Sequence, residues 1–400
     1  MDKIVKSQIT YGKNVYGREE INAVIKRIRQ TTQMSKSVIS FEKKIAKKFG
    51  KKYGIMVNSG SSAIHLALKI LNLKKNSEVI VPCLNFGTAI SSLVFCDLKP
   101  IFVDVDLNTL QIDENLIERK ISSKTKAIMV PNLIGNIPNW KKIKKIANNY
   151  NLKIIEDSAD TLGAKINGKS TGIYSDMSIT SFYGSHIISC AGNGGMLLLN
   201  DKKNYKKGII LRSWGRLSST LKNSEDIKKR LNIKLKGIEY DRKFVFAEPG
   251  FNFEPNELGA TFGLQQLLKF NKFQKIRNTN FNFHHKFFSK LKKYFIPVKI
   301  NKNILTNFLA YPIILKPNSK FNRKKFQIYL EKNNIQTRPI FSGNILRHPG
   351  FKNLINKKNR LSDFPGADYI MRNGILIGCH QGLKQNQLKY IHQKILNFIQ

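Results

Sequence analysis

I-T-S-F-Y-G-S-H-I-I-S-C-A-G-N-G-G, residues 179 to 195, is a short apolar run that breaks into a polar loop and leaves it through glycines. Ser181, Phe182 and His186 occupy the loop. Gly192-Asn193-Gly194-Gly195 closes it, and Met196 to Leu199 forms a second apolar run. Short apolar runs bounded by turn residues are what buried strands look like. His186 therefore falls just past the end of a strand.

Working outward, the same arrangement recurs. Tyr53 to Val57 reads as a strand, Asn58 to Ala63 as a small-residue turn, and Ile64 to Leu71 as a helix. A strand, a small-residue turn and a helix N-terminus together cradle an anion, because free N–H groups and the helix dipole point at it. Taken alone, the turn reads equally well as a plain cap supplied by Ser61 or Ser62. Further apolar runs, Glu78 to Pro82, Ile101 to Val105, Ala127 to Leu133 and Lys153 to Asp157, alternate with helical or loop segments. That alternation predicts βαβ units and a mainly parallel sheet, with functional side chains at the carboxyl ends of strands. Ser61, Phe86, Asp157 and His186 all fall there. A carboxylate such as Asp157 suits the protonated nitrogen of a pyridine ring, though a solvated strand-end acid fits it as well. Phe86 suits ring stacking, or simply core.

Residues 18 to 50 read as helical, ending at Gly50. After Asp201 comes a charged excursion, 213–243, and then a loop that enters a helix near Asn256. A long helix from about Lys272 leads into a C-terminal part. It has strands near 309–315 and 374–379 and helices near 322–332 and 385–399. The expected division is a large domain, 1–271, and a small α/β domain, 272–400. K-P-N-S-K, 316–320, reads as the most mobile loop.

Composition bounds the function. A hydrophobic content of 41% with 25 phenylalanines in 400 residues is that of a globular chain with a large core. No apolar run is long enough to span a bilayer, and M-D-K-I-V-K-S-Q lacks the apolar region of a secretory signal. Both point to the cytoplasm. Cys83, Cys96, Cys190 and Cys379 form no C-x-x-C pair, so neither a metal site nor an iron–sulfur cluster is expected. The net charge of +43 is spread along the chain without a recognition element for nucleic acid. No nucleic-acid partner and no membrane insertion are expected, but a positive field would draw in a doubly phosphorylated substrate.

In order along the chain, G-R-E-E-I-N-A-V-I, N-S-G-S-S-A-I-H-L-A-L, V-P-C-L-N-F-G-T-A, E-D-S-A-D-T-L-G, S-F-Y-G-S-H, G-N-G-G-M and G-F-N-F-E-P-N-E-L-G-A-T-F-G-L-Q-Q-L resemble the successive motifs of the DegT/DnrJ/EryC1/StrS sugar aminotransferases. The resemblance covers nearly the whole chain. It implies the fold-type-I architecture of pyridoxal phosphate enzymes: a large domain with a seven-stranded, mostly parallel sheet, a small C-terminal domain, and an obligate homodimer. By the same resemblance, Gly60, Ser61 and Ser181 meet the cofactor phosphate, Phe86 stacks on the ring and Asp157 binds its nitrogen. Asn252 would serve the partner subunit's site.

One position departs from the family. Five residues after Ser181, where the family carries the lysine that holds the cofactor as an imine, this chain has His186. Imidazole has no primary amine, but it moves protons well near neutral pH. The combination resembles the small branch that uses pyridoxamine phosphate to dehydrate nucleotide-linked 4-keto-6-deoxy sugars at C3, with histidine as base. I-Q-T-R-P-I-F-S-G-N-I-L-R, 335–347, resembles that branch's substrate segment and nominates Arg338 and Arg347 for diphosphate or sugar contacts. One subtype carries a [2Fe–2S] cluster, works with a reductase and acts on CDP-sugars. The other, acting on a GDP-sugar, needs no cluster and recharges its cofactor with glutamate. The excursion looks more like the first, and the lack of cysteines between 190 and 379 fits the second. A non-catalytic relative that binds cofactor or sugar is the alternative from another class.

Overall fold

The computed structural model describes residues 8–221, 223–316 and 321–400. Most of the N-terminal octapeptide read above, and the predicted mobile loop apart from Lys316, lie outside the described residues. Seven strands form the main sheet in the order Tyr53–Val57, Gly195–Leu199, Met177–Ser181, Lys153–Asp157, Thr125–Pro131, Glu78–Pro82, Lys99–Val103. Gly195–Leu199 is antiparallel to both its neighbours, and the other six run parallel to one another. The mostly parallel seven-stranded sheet is the one expected. Its strands are apolar on both faces because helices cover both, as parallel sheets require. Ile55, Ile155, Ile179 and Leu197, for example, are fully buried.

Several boundaries shift for identifiable reasons. The helix expected over 18–50 is two, Arg18–Ile28 and Lys36–Lys48. The second begins where the Glu257 carboxylate accepts the N–H groups of Ser35, Ser37 and Val38, at 2.8, 2.6 and 3.2 Å. An acceptor from a distant element thus starts that helix, and no local pattern announces it. The helix after the first strand is Gly60–Leu71, capped by Ser59 and not by Ser61 or Ser62: Ser59 Oγ accepts the Ser62 N–H at 3.1 Å. The strand expected over 127–133 ends at Pro131, since Ile134 (φ 61°) and Gly135 (φ 95°) turn the chain sharply away.

In the C-terminal part, Phe295–Ile296, Ala310–Leu315 and Gly374–Gly378 make an antiparallel sheet. The helices Arg323–Lys332 and Gln385–Ile399 stand where the pattern places them. The boundary expected at 271/272 falls in the first turn of the helix Phe270–Phe288. The N-terminal segment sits with the C-terminal part: Ile9 pairs with Ile335, and Tyr11 N–H donates to Gln336 Oε1 at 2.9 Å. That pairing carries Tyr11 to a cavity at the ends of the main-sheet strands. The excursion 213–243 holds short pieces: the 3-10 turn Leu217–Thr220, the one-turn helix Ile227–Arg230 and a hairpin pairing Lys234–Leu235 with Ile238–Glu239, closed by Arg230–Asp241 and Lys243–Glu225 ion pairs. No helix among the described residues is long and apolar enough to cross a membrane.

Candidate active site

A cavity of about 380 Å³ lies over the carboxyl ends of the parallel strands. One end is the N-terminus of helix Gly60–Leu71. An added Cβ on Gly60 would stand 2.9 Å from Ser181 Cβ, and one on Gly195 would stand 2.2 Å from the Ser59 carbonyl oxygen. Only glycine lets these three segments close to this distance. Ser61 Oγ donates to Thr88 Oγ1 at 2.8 Å, so the hydroxyls of two helix starts meet at this end. Gly60, Ser61, Thr88, Ser181 and Asn193 all face the cavity. Helix N–H groups and hydroxyls together suit a phosphate.

Asp157 ends its strand at the floor of the cavity, 7% exposed, and its Oδ1 accepts the Ala159 N–H at 3.0 Å. Burial pushes its carboxyl up to about 6; the Ala159 N–H opposes that rise and the neighbouring Glu156 adds to it. Three residues on, Asp160 accepts the Ile134 N–H at 2.9 Å and is pushed up to about 7, by burial first and by the Asp157 charge as well. A cation placed here would relieve both acids. Phe86, 56% exposed, forms one wall, edge-on to Phe341 with ring centroids 6.2 Å apart.

The loop after Ser181 folds back on its own glycines. Phe182 N–H donates to Gly194 O at 2.9 Å and Gly184 N–H to Gly192 O at 3.0 Å. Phe182 itself is core, packed on Phe41. His186 lines the cavity, its ring 5.9 Å from that of Tyr183, and its Nδ1 is buried without a hydrogen-bond partner. Burial drives its pKa down to about 4; the Ser181 backbone works against this and the nearby Arg277 with it. At neutral pH His186 is an unprotonated base. Among the described residues no lysine lines the cavity.

The structure thus gathers Gly60, Ser61, Phe86, Asp157, Ser181 and His186 around one space. Three other candidates lie outside it. Asn252 is exposed, its backbone bridged to Ser213. Arg338 is exposed beside Tyr11, its guanidinium 5.9 Å from the ring centroid. The Arg347 fork is engaged by the Asp368 carboxylate, with Nε to Oδ1 at 2.6 Å. Tyr11, Asn85, Asp160, Asn193 and Phe341 line the cavity unannounced. Asp160 had a signal in the second acid of E-D-S-A-D, and Asn193 in its glycine-rich stretch; Tyr11 had none, since a pairing across the chain brings it there. The four cysteines stand apart: Cys83 against Asn344, Cys96 beside His65, Cys190 against Gly263 and Cys379 against Phe308.

The donor set fits the phosphorylated pyridine cofactor that the sequence resemblance implies. Gly60, Ser61 and Ser181 would hold its phosphate, Phe86 its ring face and Asp157 its nitrogen. The unrelieved burial of Asp157 is the observation that asks for such a cation.

Comparison with known proteins agrees with this geometry. The chain is 31% identical over 370 residues to the lipopolysaccharide biosynthesis protein RfbH of Salmonella typhimurium, covering 90% of this chain and 84% of that one. It is 30% identical to a GDP-4-keto-6-deoxy-D-mannose 3-dehydratase of Yersinia pseudotuberculosis over 94% and 95% of the two chains. The solved structure of the E. coli GDP-4-keto-6-deoxy-D-mannose-3-dehydratase with bound hydrated PLP superposes with a TM-score of 0.85 at 28% identity, covering 97% of this chain and 99% of that one. Residues 15–396 match the model of the DegT/DnrJ/EryC1/StrS aminotransferase family. On sequence and fold alike, the chain belongs to that family.

Proposed function

We propose that this protein removes the C3 hydroxyl of a nucleotide-linked 4-keto-6-deoxyhexose, using pyridoxamine or pyridoxal phosphate, in the making of a deoxysugar for a surface polysaccharide. The observation that carries this reading is His186: a neutral imidazole in the loop position where the family keeps its lysine, in a cavity that no lysine among the described residues lines. When bound, the cofactor supplies an amine for the sugar's C4 ketone and a pyridinium that withdraws electrons.

The protein's own residues do the rest. The Gly60–Ser61 turn and Ser181 anchor the phosphate, and Asp157 keeps the ring nitrogen protonated. Phe86 fixes the ring plane and screens it from water. His186, unprotonated, accepts a proton at a ring nitrogen, and that proton leaves with the departing C3 hydroxyl as water. Glutamate is the amino donor that recharges the cofactor. The summed reaction takes up sugar and glutamate and returns the 3-deoxy-4-keto sugar, 2-oxoglutarate and ammonia.

The exposed Arg338 is the better placed of the two arginines for the diphosphate, and Arg347 reaches substrate only if Asp368 releases it. Two copies sharing their active sites would give Asn252 its role. The apolar stripe Ile21, Ile25 and Ile28 on the outer face of the first helix is consistent with a subunit contact.

The test is direct. Purified protein is given pyridoxamine phosphate, glutamate and GDP- or CDP-4-keto-6-deoxyhexoses, and ammonia and product are measured. Release from one of them is expected; none from any sinks the reading. His186→Ala should bind ligand without turnover, whereas a non-catalytic relative would show no turnover to lose. A lysine adduct trapped by borohydride would also overturn it.

A further inference from the structure

Arg277 lies in the helix Phe270–Phe288 and is completely buried. Among the described residues its guanidinium has no carboxylate partner. All its acceptors are neutral: Gln381 Oε1 at 2.6 Å from Nε, the carbonyls of Phe308 and Leu309 at 3.0 and 3.1 Å from Nη1, and the carbonyl of His186 at 3.3 Å from Nη2. Burying a cation without a counter-charge is costly, and a purely structural clamp has no need of the charge. A planar fork with fixed donors does explain why three separate segments converge on one side chain.

We propose that Arg277 is the positioning residue for His186: its fork pins the carbonyl of the base's own residue to the C-terminal part of the chain and sets a buried cation beside the loop. This rests on the function proposed above. Arg277 from the long helix holds the His186 carbonyl, Tyr183 from its own loop meets the ring, and Asp157 and Asp160 from the strand end and Tyr11 from the N-terminal segment line the same cavity. Beyond burial, Arg277 is the charged group that acts on the imidazole, and it opposes protonation of the ring. A base held this way gives its proton up again readily, as the departing C3 hydroxyl requires.

The test compares Arg277→Met, which removes fork and charge, with Arg277→Lys, which keeps the charge alone. His186 titration is followed by ring NMR in the full-length, cofactor-free protein, assigned with His186→Ala. For R277M the midpoint should rise by about one pH unit. With cofactor bound, its kcat should fall roughly tenfold or more, with KM changed by less than about threefold. R277K should hold the midpoint and lose kcat. An R277M midpoint equal to wild type overturns the proposal even if kcat falls, because that is what a merely structural residue would do. Should R277M fail to fold, R277K decides: wild-type kcat overturns the pinning role. If wild type turns over no sugar, the functional reading fails, and the titration still judges Arg277.

Discussion

Gly60 and Ser181 approach so closely that a single added methyl on Gly60 would lie 2.9 Å from Ser181 Cβ. The contact is to a Cβ at the open end of a strand, with Oγ next at 3.2 Å, so relief shifts the strand end and carries the Ser181 hydroxyl with it. Gly60→Ala should therefore fold but weaken cofactor binding by about tenfold, or ~1.4 kcal/mol, read by fluorescence titration. Gly195→Ala meets the Ser59 carbonyl at 2.2 Å, where only backbone can move. It should cost about 1–3 kcal/mol of stability, measured by urea unfolding. Cofactor affinity equal to wild type in Gly60→Ala would show that the close approach does not shape the phosphate end.

The contrast marks what was legible in the sequence. The sheet and the small-residue turn follow from local patterns, and the histidine in the lysine position from the resemblance to the family. Apolar runs bounded by turn residues specify strands, and the glycines can be placed from the turns that need them. What stayed hidden is carried by contacts between distant residues. The Glu257 carboxylate that starts the second helix is more than 200 positions away from it, and Tyr11 reaches the cavity by pairing across the whole chain. Arg277 gave no sign either: an arginine in a Phe- and Lys-rich helix looks solvated until its carbonyl partners are known.

The two candidate arginines should separate by kinetics. Arg338 is exposed and spends one donor on the Thr337 carbonyl at 2.7 Å. Arg347 is bound at Nε and Nη2 by Asp368, which also accepts from Asn344 at 2.7 Å. Arg338→Gln should raise KM for the nucleotide sugar roughly tenfold, a loss in the range of a charge-assisted hydrogen bond, and weaken its salt dependence. Arg347→Gln should lower stability by about 1 kcal/mol and leave KM near wild type. A raised KM with unchanged stability for Arg347→Gln would mean that Asp368 releases the fork to substrate.

His284 and His392 share a 3.0 Å hydrogen bond in the C-terminal part, and His392 stacks on Phe283 and Phe287. Burial lowers their pKa values to about 4 and about 3, with the pair's own repulsion adding to the second. Depressed histidines give stability that is present above the unfolded value of about 6.5 and lost as pH falls towards the folded values. His392→Phe keeps the stacking but cannot titrate. Its stability deficit relative to wild type should shrink by up to about 1.4 kcal/mol per pH unit below 6.5, read from urea midpoints between pH 7.5 and 4.5. A constant deficit across that range would mean that the pair is already protonated or open.

Asp157 gives the opposite sign. Its folded carboxyl is raised to about 6, burial being the main cause. A raised acid contributes stability that is fully present below its unfolded value of about 4 and lost as pH rises through the folded one. At pH 7.5 the cofactor-free protein thus holds a buried charge relieved by little more than the Ala159 N–H. Asp157→Asn keeps an acceptor for that N–H and removes the charge. It should stabilise the cofactor-free protein by roughly 2–3 kcal/mol at pH 7.5, and by almost nothing near pH 4. With cofactor the order should invert, because a protonated ring nitrogen gains most from the aspartate. Melting both proteins with and without pyridoxamine phosphate checks all four combinations. If Asp157→Asn is stabilised equally with and without the cofactor, Asp157 is a buried liability with no cation to receive; if the ranking reverses on binding, the acid is held under strain for the ring nitrogen.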